Sequence, residues 1–105
     1  ALIATEDASN FEEAEKVLKA SITKDNENPF AWYQLGVVYD RKGDAARAAM
    51  ATAERYHLEG QPRLALSNAE IAVRGLPQGS PDWIRAQDIA LVSKAAVEET
   101  RRKRR

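Results

Sequence analysis

Laid over itself with an offset of one half-repeat, the spacing from Ala31 to Ala48, this sequence matches itself at many positions. The offset aligns Ala31, Ala48 and Ala65, then Tyr39 with Tyr56, Gly43 with Gly60, Asp44 with Gln61, and the pair Leu35-Gly36 with Thr52-Ala53. Doubling it aligns Ala14 with Ala48 and Asn10 with Asp44. Each half-repeat has room for one short helix and a tight turn. A hairpin that small buries its apolar face only by stacking on further copies of itself. The expected fold class is therefore all-α: an antiparallel helix-turn-helix solenoid of about five helices, with an N-terminal helical stub.

Punctuation supports the period. Pro29, Pro62 and Pro81 stand where helices can begin, and Gly43, Gly60 and Gly75 each follow an apolar-periodic run, where a left-handed cap residue is expected. The segments read as a stub over residues 1–6; a helix from the N-cap Asn10, with Glu13 in the capping-box position, to about Lys24; then Pro29 to Lys42, Asp44 to Leu58, and Pro62 to Arg74. A last helix, capped by Ser80, runs from Pro81 to about Thr100. In the first full helix Phe11, Ala14, Val17, Leu18 and Ile22 share a face. In the next, Trp32, Leu35, Gly36, Val38 and Tyr39 form the buried stripe. Alanine occupies 19 positions, which favours closely packed helices because it costs no side-chain entropy and allows short interaxial distances. Residues 1–100 read as one domain and residues 101–105 as a basic tail.

The motif Trp32-x2-Leu35-Gly36-x2-Tyr39, followed by Gly43-Asp44 and by Ala48 on the second helix, resembles the tetratricopeptide repeat. A second, less complete frame holds Ala49 and Thr52-Ala53 at the Trp and Leu-Gly positions and continues through Tyr56, Gly60, Ala65, Ala69, Ala72 and Pro77. The helix over residues 45–58 thus reads as the second helix of one repeat and the first of the next. Its layer is open at this level. The runs Asn28-Pro-Phe-Ala-Trp-Tyr-Gln-Leu-Gly36 and Gly79-Ser-Pro-Asp-Trp83-Ile-Arg-Ala-Gln-Asp88 are, over residues 10–93, similar to the C-terminal domain of BepA-like periplasmic zinc metallopeptidases, particularly those of alphaproteobacteria. That resemblance implies the C-terminal part of a longer protein, in the periplasm or at the membrane of a Gram-negative bacterium. It implies zinc only in a separate catalytic domain bearing a His-Glu-x-x-His helix, with the repeats contacting polypeptide or that catalytic domain.

Composition removes several chemistries. With no cysteine and only His57, thiolate nucleophiles, Cys-based zinc sites and multi-His clusters are excluded, and His57 is followed by Leu58 rather than by a zinc-binding pattern. No catalytic, metal or cofactor residue is assigned in this chain. A cysteine-free chain suits cytosol and periplasm equally. The most apolar stretch, residues 86–97, is broken by Gln87, Asp88, Ser93 and Lys94 and is too polar to span a membrane. The opening Ala-Leu-Ile-Ala-Thr reads as the inside of a helix in a chain cut from a longer one. Formal net charge is zero because two regions cancel: residues 1–100 hold 11 of the 16 basic and all 16 acidic groups, a net of −5, and residues 101–105 are all basic. Such a body repels nucleic acid, which is not expected as a partner. The tail itself reads as a solvated helix terminus.

The expected partner is a polypeptide. On the helix beginning at Pro29, the groove positions are Phe30, Tyr33, Val37, Asp40 and Arg41. Phe30 and Tyr33 are rigid aromatics that bury large area at small entropic cost, unless neighbouring helices cover them. In the second frame Arg47, Met50, Glu54, His57 and Leu58 are expected to face the same way. The resembled clamp for a terminal carboxylate would need Lys and Asn where Tyr33 and Val37 stand, so that binding mode is not expected. Trp83 with Ile84 and Ile89 offers a docking surface for an attached domain, but the favoured reading is that Trp83 seals the end of the stack. His57, Glu12/Glu13 and Glu98/Glu99 read as solvated surface groups. Two functions follow: a non-catalytic interaction module that positions polypeptide for an attached zinc metallopeptidase domain, or a stand-alone repeat scaffold in a multiprotein assembly.

Overall fold

The computed structural model describes residues 8–104; the stub over residues 1–6 lies outside them. Five helices follow one another: α1 (Ala8–Lys24), α2 (Pro29–Arg41), α3 (Ala45–Leu58), α4 (Pro62–Gly75) and α5 (Pro81–Lys103). Short turns fold each back on the last, so the chain is an all-α stack of helical hairpins, 51 × 26 × 22 Å.

The half-repeat spacing recurs bond for bond in the turns. After α2 the N–H of Lys42, Gly43 and Asp44 donates to the carbonyl of Val38, Asp40 and Tyr39. At the equivalent positions after α3, Glu59, Gly60 and Gln61 donate to Arg55, His57 and Tyr56. Each set closes a helix with a six-to-one bond around a glycine at positive φ, +80° at Gly43 and +73° at Gly60, a conformation that costs other residues about 1 kcal/mol or more. The starts are fixed by side chains. Asn28 Oδ1 accepts from the Phe30 N–H, Asp44 Oδ1 from Arg47, and Ser80 Oγ from Trp83, while Pro29, Pro62 and Pro81 open their helices.

Three boundaries differ from expectation. Asn10 lies inside α1, which is already helical at Ala8, so it is not an N-cap. Gly75 has no positive φ; it ends α4 where a Cβ would come within 2.9 Å of the Ala46 Cβ, so its role is close approach of α3 to α4. Helix α5 continues past Thr100 to Lys103, taking three tail residues into the helix, as expected of good helix formers whose charge suits a C-terminus.

The core has two parts. Phe11, Ala14, Leu18 and Ile22 of α1 pack on Trp32, Leu35, Val38 and Tyr39 of α2, which extend to Met50, Leu76 and Ala86. Val17 is exposed, because α1 touches α2 alone among the described residues and one neighbour covers only a narrow stripe. The second part is small: Ala53, Ala65, Ala69 and Ile89, flanked by Tyr56 and Ala90. Polar ends of the large residues are satisfied. Trp32 Nε1 donates to the Asn26 carbonyl at 3.0 Å, and Tyr39 OH donates to Glu15 Oε2 at 3.1 Å.

Helix α3 packs against α5 as well as against α2 and α4, whereas α2 does not reach α4 among the described residues. Helix α3 therefore lies beside α5 on one side of the stack.

Candidate functional site

Two surfaces flank α3. The first is on the α2 side, where the N-cap at Asn28 starts α2 just before Phe30. The rings of Phe30 and Tyr33 stack with centroids 6.4 Å apart and planes at 28°, and they remain 61% and 47% exposed. Neighbouring helices do not cover them. The Arg55 guanidinium lies 5.0 Å from the Tyr33 ring centroid and 4.8 Å from that of Tyr56, and Arg55 Nε donates to Glu59 Oε2 at 3.2 Å. At that distance the guanidinium is attracted to the face of the Tyr33 ring. Val37 is half-buried beside them, and Asp40 and Arg41 are exposed in the last turn of α2.

The second surface lies between α3 and α5. Successive helical residues point about 100° apart, so Glu54 faces α5 while Arg55 faces α2. Glu54, almost fully buried, pairs with Arg85, whose guanidinium also sits 5.1 Å from the Trp32 ring centroid. Below this, Arg47 Nε donates to Asp82 Oδ2 and Arg47 Nη1 to Asp44 Oδ2, both at 2.8 Å, tying the starts of α3 and α5 together. Above the Arg85 pair a groove of about 390 Å³ opens, lined by Glu54, His57, Ile84, Asp88, Ile89 and Val92. It shares His57 and Val92 with a second hollow of about 320 Å³, reaching Pro62, Ser93 and Ala96. That hollow meets a third, of about 420 Å³, bounded by Pro62, Leu64, Val97 and Thr100. The three form one trough along α5. From Ile84 to Thr100 the helix rises about 24 Å, enough for a peptide several turns long.

The expected second-frame set is therefore corrected. Only Glu54 and His57 reach this groove: Met50 is in the core, Leu58 is half-buried against it, and Arg47 is engaged by Asp44 and Asp82. Nor does the set face the same way as Phe30 and Tyr33. Trp83 does pack on the core, but its neighbour Ile84 is 49% exposed and Val92 is 55% exposed. The spacing of Ile84, Asp88 and Val92, one helical turn apart on a single face, is the signal that would have found this wall of the groove.

Chemically these surfaces suit binding. Ser93 and His57 line the same hollow, and Ser93 Oγ has no hydrogen-bond partner among the described residues. Among the described residues no group of three or more His, Asp or Glu is placed to hold a metal ion, and no helix is long and apolar enough to cross a membrane. One perturbed cluster lies away from both surfaces. Burial pushes the Glu15 carboxyl upward, but hydrogen bonds from Lys19 and Lys42 outweigh it and hold the pKa down at about 2. Burial, followed by the nearby Glu15 charge, raises Tyr39 to about 12. This cluster ties α1 to α2. No protein-family model, curated protein or solved structure matches the chain.

Proposed function

We propose that this chain is a non-catalytic, tetratricopeptide-type module that binds polypeptide and positions it for an attached zinc metallopeptidase domain. The observation that carries the binding reading is the stacked, solvent-exposed Phe30–Tyr33 pair, with the Arg55 guanidinium beside Tyr33. Exposed aromatics with few rotatable bonds lose little entropy on binding and bury large apolar area, as anchors at protein interfaces do. The repeat motif from Trp32 to Tyr39 and the sequence of residues 79–88 support the attachment, and with it a periplasmic setting.

A photo-crosslinking residue placed at Tyr33 tests the binding reading, with an exposed site on α1, Lys16, as the reference. A carboxymethylated, unfolded protein serves as the probe. Crosslinks should form at Tyr33 and not at Lys16; equal yields at the two sites would remove the assignment. The attachment is tested separately by the gene, whose upstream sequence should encode a His-Glu-x-x-His helix.

A further inference from the structure

The trough along α5 carries an asymmetry of charge. Its lining near Ile84 contains two carboxylates and one guanidinium, and the guanidinium is already committed: Arg85 pairs with Glu54 and lies over Trp32. Asp88 has no hydrogen bond or ion pair among the described residues, although it stands between two half-exposed aliphatic side chains, Ile84 and Val92, one helical turn away on either side. A carboxylate in that setting is solvated at present. Any segment that covers Ile84 and Val92 strips water from Asp88, and an uncompensated buried carboxylate costs several kcal/mol. An apolar occupant with nothing to offer Asp88 is thereby disfavoured, and an acidic one is repelled.

We infer that the α5 trough takes a polypeptide segment that presents a lysine or arginine between apolar residues, the cation meeting Asp88 while the apolar side chains cover Ile84 and Val92. The chain's net charge is zero, so the selection is local: the Asp88 contact discriminates at short range. The basic residues at the end of α5 do not supply the occupant in cis. Helix α5 runs unbroken from Asp88 to Lys103, holding Arg101 about 20 Å along the same rigid axis. The inference rests on the polypeptide-binding reading above, but places its specificity at a surface separate from Phe30 and Tyr33.

The test uses the full chain and two fluorescein-labelled helical peptides of about 16 residues. They are identical except for a central lysine or glutamate, set between leucines one helical turn to either side, and fluorescence anisotropy reads their binding. The lysine peptide should bind at least about tenfold tighter than the glutamate peptide. Asp88→Asn should abolish that preference, and Tyr33→Ala should leave it intact. Equal binding of both peptides, weakened by Ile84→Glu, would overturn the charge selection while leaving a polypeptide-binding trough. A preference that survives Asp88→Asn, or disappears with Tyr33→Ala, would place the cation elsewhere and overturn the assignment. Binding of neither peptide would remove the trough as a polypeptide site altogether, with the crosslinking at Tyr33 then deciding separately whether the aromatic surface retains that role.

Discussion

Where α1 meets α2 the seam is filled, by Phe11, Leu18, Trp32, Leu35 and Tyr39; where α4 meets α3 and α5 it is closed by bringing backbones together over Ala53, Ala65 and Ala69. The first arrangement removes a large apolar area from water with few residues. The second buries less area per side chain, and its stability comes from short interhelical distance, so it tolerates little added volume. The difference gives opposite sensitivities. The filled seam is vulnerable to deletion, the close seam to insertion.

The largest expected effect is therefore at Trp32. Trp32→Ala should lower stability by about 3–5 kcal/mol, read from urea denaturation followed by circular dichroism. A loss of about 1 kcal/mol or less would mean that α1 and α2 collapse onto the vacated space, and the contrast between the seams would fall with it. At the close seam, Gly75→Ala is the sharper probe. In an unconstrained helix the change adds stability, by up to about 1 kcal/mol. Here the new methyl group meets Ala46 Cβ, which is fixed to backbone and has no rotamer in which to retreat. A loss of about 1–3 kcal/mol is expected, with Ala69→Leu in the same range. If Gly75→Ala raises the unfolding midpoint, the α3–α4 contact has slack and the close-seam account is wrong.

A third probe separates polar from apolar contributions at the filled seam. The Glu15 carboxyl is held at a pKa of about 2, below its unfolded value, so its interactions with Lys19, Lys42 and Tyr39 stabilise the fold fully above the usual carboxylate range. That contribution is lost as pH falls from about 5 toward 2, and it is about 1–2 kcal/mol after allowance for solvent screening. Glu15→Gln should flatten this acid limb. An unchanged limb would assign acid sensitivity to other carboxylates. A fourth, with the opposite sign, concerns Ser93. Its hydroxyl is buried against the alanine seam without a partner among the described residues, so Ser93→Ala should be neutral or stabilising by up to about 1 kcal/mol. Destabilisation would show that the hydroxyl is bonded in solution.

What could be read in advance follows the same division between local and tertiary causes. The turns at Gly43 and Gly60 and the helix starts at Pro29, Pro62 and Pro81 depend on residues within one turn of each other, and their sequence signals correspond to observed bonds. The positions of the aromatic pair follow from helical spacing around the Trp32 stripe, whereas its exposure depends on where the neighbouring helices pack and was left open by the sequence. Gly75 misled because a glycine after an apolar run looks the same whether it supplies a backbone conformation or a missing side chain; only Ala46, on the preceding helix, distinguishes the two. Val17 misled because the width of a buried stripe depends on how many neighbours a helix has. The α5 trough was hidden for a related reason. Its walls come from α3 and α5, helices whose adjacency only the fold reveals, and the sequence supports two assignments for α3.

The basic C-terminus is expected to give the smallest effect, and it tests whether the contrast between seams accounts for stability without help from global charge. Residues 101–103 extend α5, and Arg102 approaches Glu99 at 3.4 Å with both side chains largely exposed. An exposed pair of that kind contributes little, and cations at a helix C-terminus add a few tenths of a kcal/mol that salt screens. Deleting residues 101–105 should therefore change stability by less than about 0.5 kcal/mol at moderate salt, while changing the formal net charge from zero to −5. Thermal melts of the two chains at low and high salt measure this directly. A difference well above that figure, vanishing in salt, would mean that charge attraction between the α5 terminus and the acidic body holds the stack together alongside its two seams.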